Sequence, residues 1–331
     1  MNEKMTGFWI SPTYKCNNRC EWCYVGGKLA KNDEASFSDI KRYVFRMVYA
    51  GAKNCVFIGG EPTVYPYIVE AVRFATNQGL QVKIMTNGRK LADRDFVKRL
   101  KDAGLKHCSI SIEGTKNVHE KITGIRGSFD ESIAGIVNCQ KEGIPINSIS
   151  TVGNSNKNII EEIVQFLQKI GLKRSVFNMC SSQPSGYNGK DNGVIELDKY
   201  ARIVEDIGLK YDFVRFYALL PLCLFNQQKL ERLLTLGRMK VSCSIFADVV
   251  AIDPKGNLNP CTHMADIVYG NLNKSNGLDK YIKTKTKERV FLKTHAPSFK
   301  CVNCRLWNTC LGGCNLIWFS RKAEDFIKGV S

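Results

Sequence analysis

Three cysteines crowd one short stretch near the start of the chain, Cys16-Asn-Asn-Arg-Cys20-Glu-Trp-Cys23, and thiolates so spaced point to metal chemistry. Each can reach a different iron of a [4Fe-4S] cube, which leaves the fourth iron without a protein ligand. An open iron is what a substrate or cofactor needs in order to bind metal, as at open catalytic zinc sites. A zinc knuckle or a plain electron-transfer cluster fits the same spacing, although structural zinc takes four ligands and no fourth stands close by in sequence. Further on, Gly59-Gly60-Glu61-Pro62 offers a second kind of group. Its glycines can let backbone approach a ligand closely, and Glu61 can accept hydrogen bonds from an ammonium. By itself this tetrapeptide also reads as a simple turn.

A second set of cysteines lies late in the chain. Cys243 is followed by twelve residues, Gly256, four residues and Cys261, and then comes Cys301-x2-Cys304-x5-Cys310-x3-Cys314. Paired near-neighbour cysteines suit metal sites, and two cubes explain so many in one small region, with a zinc ribbon as the alternative. Cys223, in Pro221-Leu-Cys-Leu224, is the spare cysteine on the near side of this region. Cys55, Cys108 and Cys139 fall on expected strands or helices and read as small buried hydrophobes. The start, MNEKMTGFWI, lacks the pattern of a signal peptide, and no apolar run reaches the length of a membrane span. The expected location is cytoplasmic, where fourteen cysteines mean metal ligands rather than disulfides.

The elements that must position these residues alternate as strand and helix. Apolar runs at 7–10, 55–58, 82–85, 108–112, 144–151 and 175–179 read as strands buried on both faces. Amphipathic helices lie between them. One spans 38–50, with Ile40, Tyr43, Val44, Met47 and Val48 on one face and Gly51 as its stop. Another opens at Ser128-Phe-Asp-Glu131, a capping-box pattern. The expected fold is α/β, a partial (β/α)6 TIM-like barrel over residues 1–212, with a small cysteine-rich domain over 213–331. In the second part Asp253-Pro-Lys-Gly256 reads as a hairpin turn. Too little apolar surface is available there to form a core without metal. Cys16–Cys23 follows the first strand and Gly59–Pro62 the second, so both sit at the C-terminal rim, where barrels do chemistry.

With both motifs in place, residues 7 to about 180 resemble the radical S-adenosylmethionine (SAM) superfamily, including CxxxCxφC with Trp22 at the aromatic position. The resemblance implies that Cys16, Cys20 and Cys23 hold a [4Fe-4S] cluster whose open iron is chelated by the amino and carboxylate groups of SAM. Gly59, Gly60 and Glu61, followed by Pro62, would line the methionine amino group, and Trp22 would lie near the adenine. Thr86-Asn87-Gly88, Ser109, Ser111 and Glu113 resemble positions that hydrogen-bond the ribose or carboxylate of SAM, while ordinary turn or strand chemistry accounts for them equally well. An electron from the reduced cluster would cleave SAM to methionine and a 5′-deoxyadenosyl radical, which takes a hydrogen atom from substrate. His119-Glu120, Gly124 and Ser128-Phe129 resemble a family loop without a role that sequence alone supplies. Cys180, at the end of the sixth strand, matches the place of a thiol that returns a hydrogen atom in some epimerising members; the alternative is a plain strand-end residue.

Residues 213–331 resemble the SPASM extension of that superfamily, which carries two auxiliary [4Fe-4S] clusters. By resemblance, Cys243, Cys261 and Cys314 would share the first auxiliary cluster with Cys223 as its fourth ligand, and Cys301, Cys304 and Cys310 would hold the second. SPASM domains usually end in one more cysteine, and residues 315–331 contain none. Seven thiolates cannot fill eight positions, so one cluster has an open iron, takes a non-cysteine ligand, or is absent.

Lysine and arginine exceed acidic residues by 17, yet no helix-turn-helix or aromatic-interleaved RNA motif accompanies the charge, and nucleic acid is not an expected partner. The densest basic stretch, residues 280–289, reads as a solvated helix face or as a docking surface for an acidic peptide or other anion. The resemblance favours modification of a peptide or protein: a crosslink, a thioether, or an oxidation such as sulfatase formylglycine formation. The alternatives are a small molecule such as an aminocyclitol, and a non-catalytic electron carrier, against which Gly59–Pro62 argues. A flavodoxin or ferredoxin would supply electrons, and no membrane is expected. The chain starts at the first strand, and no leader-binding winged helix is expected before it.

Overall fold

The computed structural model describes residues 5–180, 193–217, 219–241, 243, 245–319 and 322. Strands β1 (Gly7–Ile10), β2 (Asn54–Phe57), β3 (Gln81–Thr86), β4 (His107–Ser111), β5 (Ile146–Val152) and β6 (Ser175–Met179) occur where apolar runs were expected. They pair in parallel, each with the next. Phe8, Ile10, Phe57, Val82, Ile84 and Phe177 are all but excluded from solvent, as strands covered on both faces require. The helix Phe37–Tyr49 packs Ile40, Tyr43, Val44 and Met47 against this sheet and stops at Gly51, which adopts φ 94°.

Two features of the first half differ from expectation. The capping box belongs to Ser36 and Asp39 at the start of that helix, where side chain and backbone satisfy one another reciprocally. Ser128 caps nothing: it is the first residue of helix Ser128–Lys141, Gly127 precedes it as the cap, and its hydroxyl bonds that of Thr123 at 2.7 Å.

The parallel sheet also runs past residue 212, so the expected division at 212/213 falls inside it. After helix Leu197–Lys210, β7 (Val214–Tyr217) pairs with β6, and the two-residue β8 (Met239–Lys240) pairs with β7. On the opposite edge β9 (Val249–Ile252) lies parallel to β1, in register from Gly7 opposite Val249 to Ile10 opposite Ile252. The turn Asp253–Gly256, with Gly256 at φ 77°, returns the chain as β10 (Asn257–Asn259), and β11 (Gly270–Asn271) completes an eleven-stranded sheet. Among the described residues the result is a partial barrel whose edge strands are β8 and β11. In β7 apolar and polar residues alternate, and β8 is only two residues long, so neither carries the continuous apolar signal of a fully buried strand.

The basic stretch at 280–289 lies within helix Gly277–Thr294 and is only partly solvated. Lys285 is buried, its Nζ donating to the carbonyls of Ala247 and Val249 at 2.7 and 2.6 Å. Arg289 Nε donates to Ile245 O at 2.7 Å. These cations satisfy carbonyls just before and within β9 and fasten the helix over it. Among the described residues no helix is long and apolar enough to cross a membrane.

Helix Lys116–Thr123 turns His119 inward, where it is 1% exposed. Its Nδ1 accepts the backbone N–H of Glu113 at 3.1 Å, and its ring stands edge-on to Phe129. Burial lowers its pKa from 6.5 to about 4. Within that window the unfolded chain binds a proton that the folded chain does not, so stability rises with pH there and is lost as pH falls. Between about pH 6 and 5 the unfolding free energy should drop by up to about 1.4 kcal/mol per unit from this group alone. His119→Asn keeps an acceptor near Nδ1 but cannot titrate, and denaturant titrations should show a shallower pH slope for it than for the wild type. An unchanged slope would refute the assignment.

Candidate active site

The loop that carries Cys16, Cys20 and Cys23 leaves β1 and folds onto the end of β2. Gly60 donates its N–H to Thr13 O at 3.0 Å, and Glu61 donates its own to Lys15 O at 2.8 Å. The contact leaves no room for side chains. A Cβ on Gly60 would stand 2.4 Å from Lys15 O and 2.5 Å from Tyr14 O, and one on Gly59, which has φ 139°, 2.6 Å from Thr13 O. The close approach that these glycines permit is therefore the chain's own cysteine loop. Tyr24 locks the far side by donating its hydroxyl to Gly59 O at 3.2 Å.

Glu61 is 1% exposed and ties β2 to β3. Its Oε1 accepts the hydroxyl of Thr86 at 2.6 Å, and the hydroxyl and N–H of Thr63 in the Pro62–Val64 turn at 2.5 and 3.0 Å. Its Oε2 accepts the Asn87 N–H at 2.7 Å. Burial raises its pKa above 4.5, against the pull of these donors. A carboxylate oxygen can accept more than one bond, so Oε2 keeps capacity for an ammonium. Asn87 also donates through Nδ2 to Asn17 Oδ1 at 2.7 Å, inside the cysteine motif. Arg89 reaches Asn18 Oδ1 at 3.2 Å and pairs with Glu131.

The other flank of the motif rests on helix Lys116–Thr123, which gives the 119–124 segment the role that sequence alone did not. Arg19 and Glu21 donate their backbone N–H groups to Thr123 O and Ile122 O, both at 2.8 Å. Gly124 sits where a Cβ would meet Arg19 O at 2.9 Å. Trp22 lies over Gly153 and Gly193: a Cβ on either would come within 2.9 and 2.6 Å of its ring, and one on Gly193 would also lie 3.6 Å from Cys180 Sγ. Cys180 is thus at the rim beside Trp22, 4% exposed. Glu113 accepts the Thr151 N–H at 2.8 Å, and burial pushes its pKa up to about 7. Ser109 donates to Asn147 Oδ1 at 2.9 Å, joining β4 to β5, and Ser111 is half-buried one step further along β4.

Cys16, Cys20 and Cys23 act on one another electrostatically. Burial pushes the Cys16 thiol up to about 12, with Glu61 and Cys23 adding to the shift. Burial raises Cys20 further, followed by Cys23, Glu113 and Cys16, and it also raises Cys23. Three thiols held so would stay protonated alone, and irons would supply the positive charge that deprotonates them. Among the described residues no three His, Cys, Asp or Glu form a set able to hold a single metal ion. A cube asks for another arrangement, because each thiolate binds its own iron. The donor set, its burial and the acceptor left at Glu61 fit an iron–sulfur cluster with SAM beside it.

The late cysteines separate into two groups. Cys243 packs with Cys261 and Cys314 around Ile245, Met264 and Leu316. Cys301 packs with Cys223, Trp307 and Trp318. Burial raises the Cys310 thiol, and Cys223 and Cys304 add to it. Cys223 therefore stands with Cys301, Cys304 and Cys310, not with Cys243, Cys261 and Cys314 as the resemblance implied; proximity in sequence to Cys243 does not carry over into space. Cys55, Cys108 and Cys139 are buried in the barrel core. Two residues that sequence did not single out join the two halves: Tyr24, next to Cys23, and His263, two residues after Cys261, lie 4.6 Å apart between ring centroids.

The sequence model of the radical SAM superfamily matches residues 10–167. Over 166 residues the chain is 32% identical to the Fe-coproporphyrin III synthase of Methanosarcina barkeri, covering 50% of this chain and 41% of that protein. The chain thus spans less than half the length of that relative. Among solved structures, anSMEcpe with bound AdoMet and the Kp18Cys peptide superimposes with a TM-score of 0.73 at 17% identity, covering 94% of this chain and 89% of the other. Streptococcus suis SuiB bound to its precursor peptide SuiA gives 0.73 at 18%, covering 96% and 73%. These two share the fold across nearly the whole chain.

Gly60→Ala tests the seat of the loop. Because the collision is with the chain's own carbonyls, the variant should lose about 1–3 kcal/mol of stability with SAM absent, by denaturant titration. If the glycine served only the approach of a ligand, stability without SAM would be unchanged and only SAM affinity would fall.

Proposed function

Residues 10–167 are a radical SAM domain, and from that premise we propose that this enzyme takes a hydrogen atom from a side chain of a peptide or protein. When bound, the cluster and SAM supply the one-electron cleavage that generates the abstracting adenosyl radical. Cys16, Cys20 and Cys23 would hold the cluster, and Glu61 would receive the methionine ammonium at Oε2 while Thr63, Thr86 and Asn87 keep its carboxylate oriented. Asn87, Ser109, Ser111 and Glu113 would present polar groups along the rim to the rest of SAM, and Trp22 would wall the adenine side. The late cysteines would carry auxiliary clusters, and a flavodoxin or ferredoxin would reduce the enzyme.

The observation that carries the peptide reading is the fold likeness, across more than nine-tenths of this chain, to two proteins solved with peptides bound. A second reading, formation of an iron porphyrin, is favoured by the 32% identity to the Fe-coproporphyrin III synthase, whose name gives that compound as its product. Mass spectrometry of two reactions separates them, one with a peptide encoded beside the gene and one with an iron tetrapyrrole precursor, read for the appearance of iron coproporphyrin. A product only from the tetrapyrrole would end the peptide reading.

Anaerobically reconstituted protein should contain iron and sulfide in nearly equal amounts. Replacing Cys16, Cys20 and Cys23 with Ala should abolish 5′-deoxyadenosine formation, while Cys301→Ala with Cys304→Ala should leave cleavage and eliminate turnover of substrate. Stoichiometric zinc without sulfide, or equal loss of cleavage in two folded variants, would contradict this division.

Cys180 has no step in the favoured reading. Cys180→Ala should keep near-normal turnover, and wild-type product formed in deuterated water should carry no deuterium at the reacting carbon. Deuterium there, lost together with activity in the variant, would instead make Cys180 a hydrogen donor.

A further inference from the structure

The seven late cysteines divide unequally, and backbone contacts set the division. The segment after β7 is stitched to the segment that holds Cys310 and Cys314. Cys314 donates its N–H to Leu219 O at 2.8 Å, and Leu222 donates its own to Cys310 Sγ at 3.3 Å. A Cβ on Gly313, at φ 81°, would stand 2.7 Å from Leu219 O, so the two strips of backbone are in direct contact. The short turn Leu222–Leu224 then delivers Cys223 beside Cys301, in a patch closed by Trp307 and Trp318. Cys304 follows on the same turn, its N–H donating to Cys301 O at 3.2 Å, and Cys310 is held against the Cys223 segment by the Leu222 N–H. The second patch holds Cys243, Cys261 and Cys314 around Ile245, Met264 and Leu316.

Among the described residues no other cysteine lies with that second patch. Of the fourteen, three belong to the motif after β1, Cys55, Cys108 and Cys139 are in the barrel core, and Cys180 ends the β6 segment beside Trp22.

We propose that Cys223, Cys301, Cys304 and Cys310 hold one auxiliary [4Fe-4S] cluster through four thiolates, and that Cys243, Cys261 and Cys314 hold the other through three, leaving one of its irons without a thiolate. The closed cluster is suited to electron transfer, whereas the three-thiolate cluster can take a thiol, amine or other small donor at its fourth iron. The inference rests on the iron–sulfur reading of these cysteines, which iron and sulfide analysis tests separately: zinc in place of iron would end that reading, while the partition is decided by which thiols are protected together.

The experiment is alkylation of anaerobic holoenzyme with iodoacetamide, read residue by residue by mass spectrometry. In the wild type all seven cysteines should be protected. In Cys301→Ala/Cys304→Ala, Cys223 and Cys310 should become labelled at least tenfold faster while Cys243, Cys261 and Cys314 stay protected, which also shows that the fold survives. In Cys243→Ala/Cys261→Ala, Cys314 should become labelled and Cys223 stay protected. Labelling of Cys223 in the wild type, or its release with Cys243 and Cys261 rather than with Cys301 and Cys304, would overturn the proposal. Should the first variant unfold, the second decides alone. With SAM saturating the catalytic cluster of Cys301→Ala/Cys304→Ala, added cyanide should change the electron paramagnetic resonance spectrum of the reduced remaining auxiliary cluster. An unchanged spectrum would refute the open iron.

Discussion

Everything in the mouth of the barrel depends on two strips of backbone touching where no side chain fits. Thr13–Lys15 lies against Gly59–Glu61 through two hydrogen bonds, and Cys16 follows one residue later. Thr13 is fully buried and bridges to Glu34, so the far end of the loop is fastened as well. The position of the first thiol is thus set by main-chain geometry, which is stiffer than any side-chain contact and is in place before a ligand arrives. Arg19 and Glu21 repeat the device on the other flank, where the last carbonyls of a helix receive the N–H groups of the motif. A glycine on each flank, Gly60 and Gly124, marks the place where the backbone comes closest.

The electrostatics of the same mouth follow from burial. Glu61 and Glu113 each join neighbouring strand ends, and both have their pKa raised chiefly because they are out of water. They lie close enough to the thiols for Glu61 to raise Cys16 and for Glu113 to raise Cys20. Three thiolates and two carboxylates would be a heavy concentration of negative charge in one opening, met by Arg19 and Arg89 among the described residues that contact the loop. Iron and a positively charged cosubstrate reverse that imbalance, so the groups that make the protein uncomfortable without them are those that would bind them.

Legibility in the sequence tracked the range of the interaction. The first six strands were readable because strands buried on both faces are apolar throughout, and the site motifs were readable because their residues are neighbours in sequence. Strands β7 and β8 were not, since Val-Arg-Phe-Tyr alternates and Met-Lys is too short to carry a pattern. Ser128 resembled a cap because the spacing to Glu131 is right, yet the helix had already begun. Lys285 and Arg289 resembled solvated charges, because nothing local reveals the carbonyls of residues 245–249 that they serve. Cys223 was assigned to the wrong neighbours for the same reason: the contacts that place it join residues about ninety positions apart.

Those long-range contacts also change what the last third of the chain is. A separate metal-organised module would be free to sit anywhere that a linker allowed. Here β9 hydrogen-bonds along β1 in full register, and adjacent strands stand about 4.8 Å apart. Cys243 precedes β9, Cys261 follows the β9–β10 hairpin, and β1 leads directly into Cys16. Lys28 adds a side-chain tie, donating to Ala265 O at 2.7 Å and pairing with Asp266 at 2.9 Å, and Tyr24 meets His263 beside it. The separation between the first cysteine group and the Cys261 group is therefore inherited from sheet geometry, and metal does not have to create it. Metal has only to fill positions that the sheet, the glycine seats and the helix over β9 already hold.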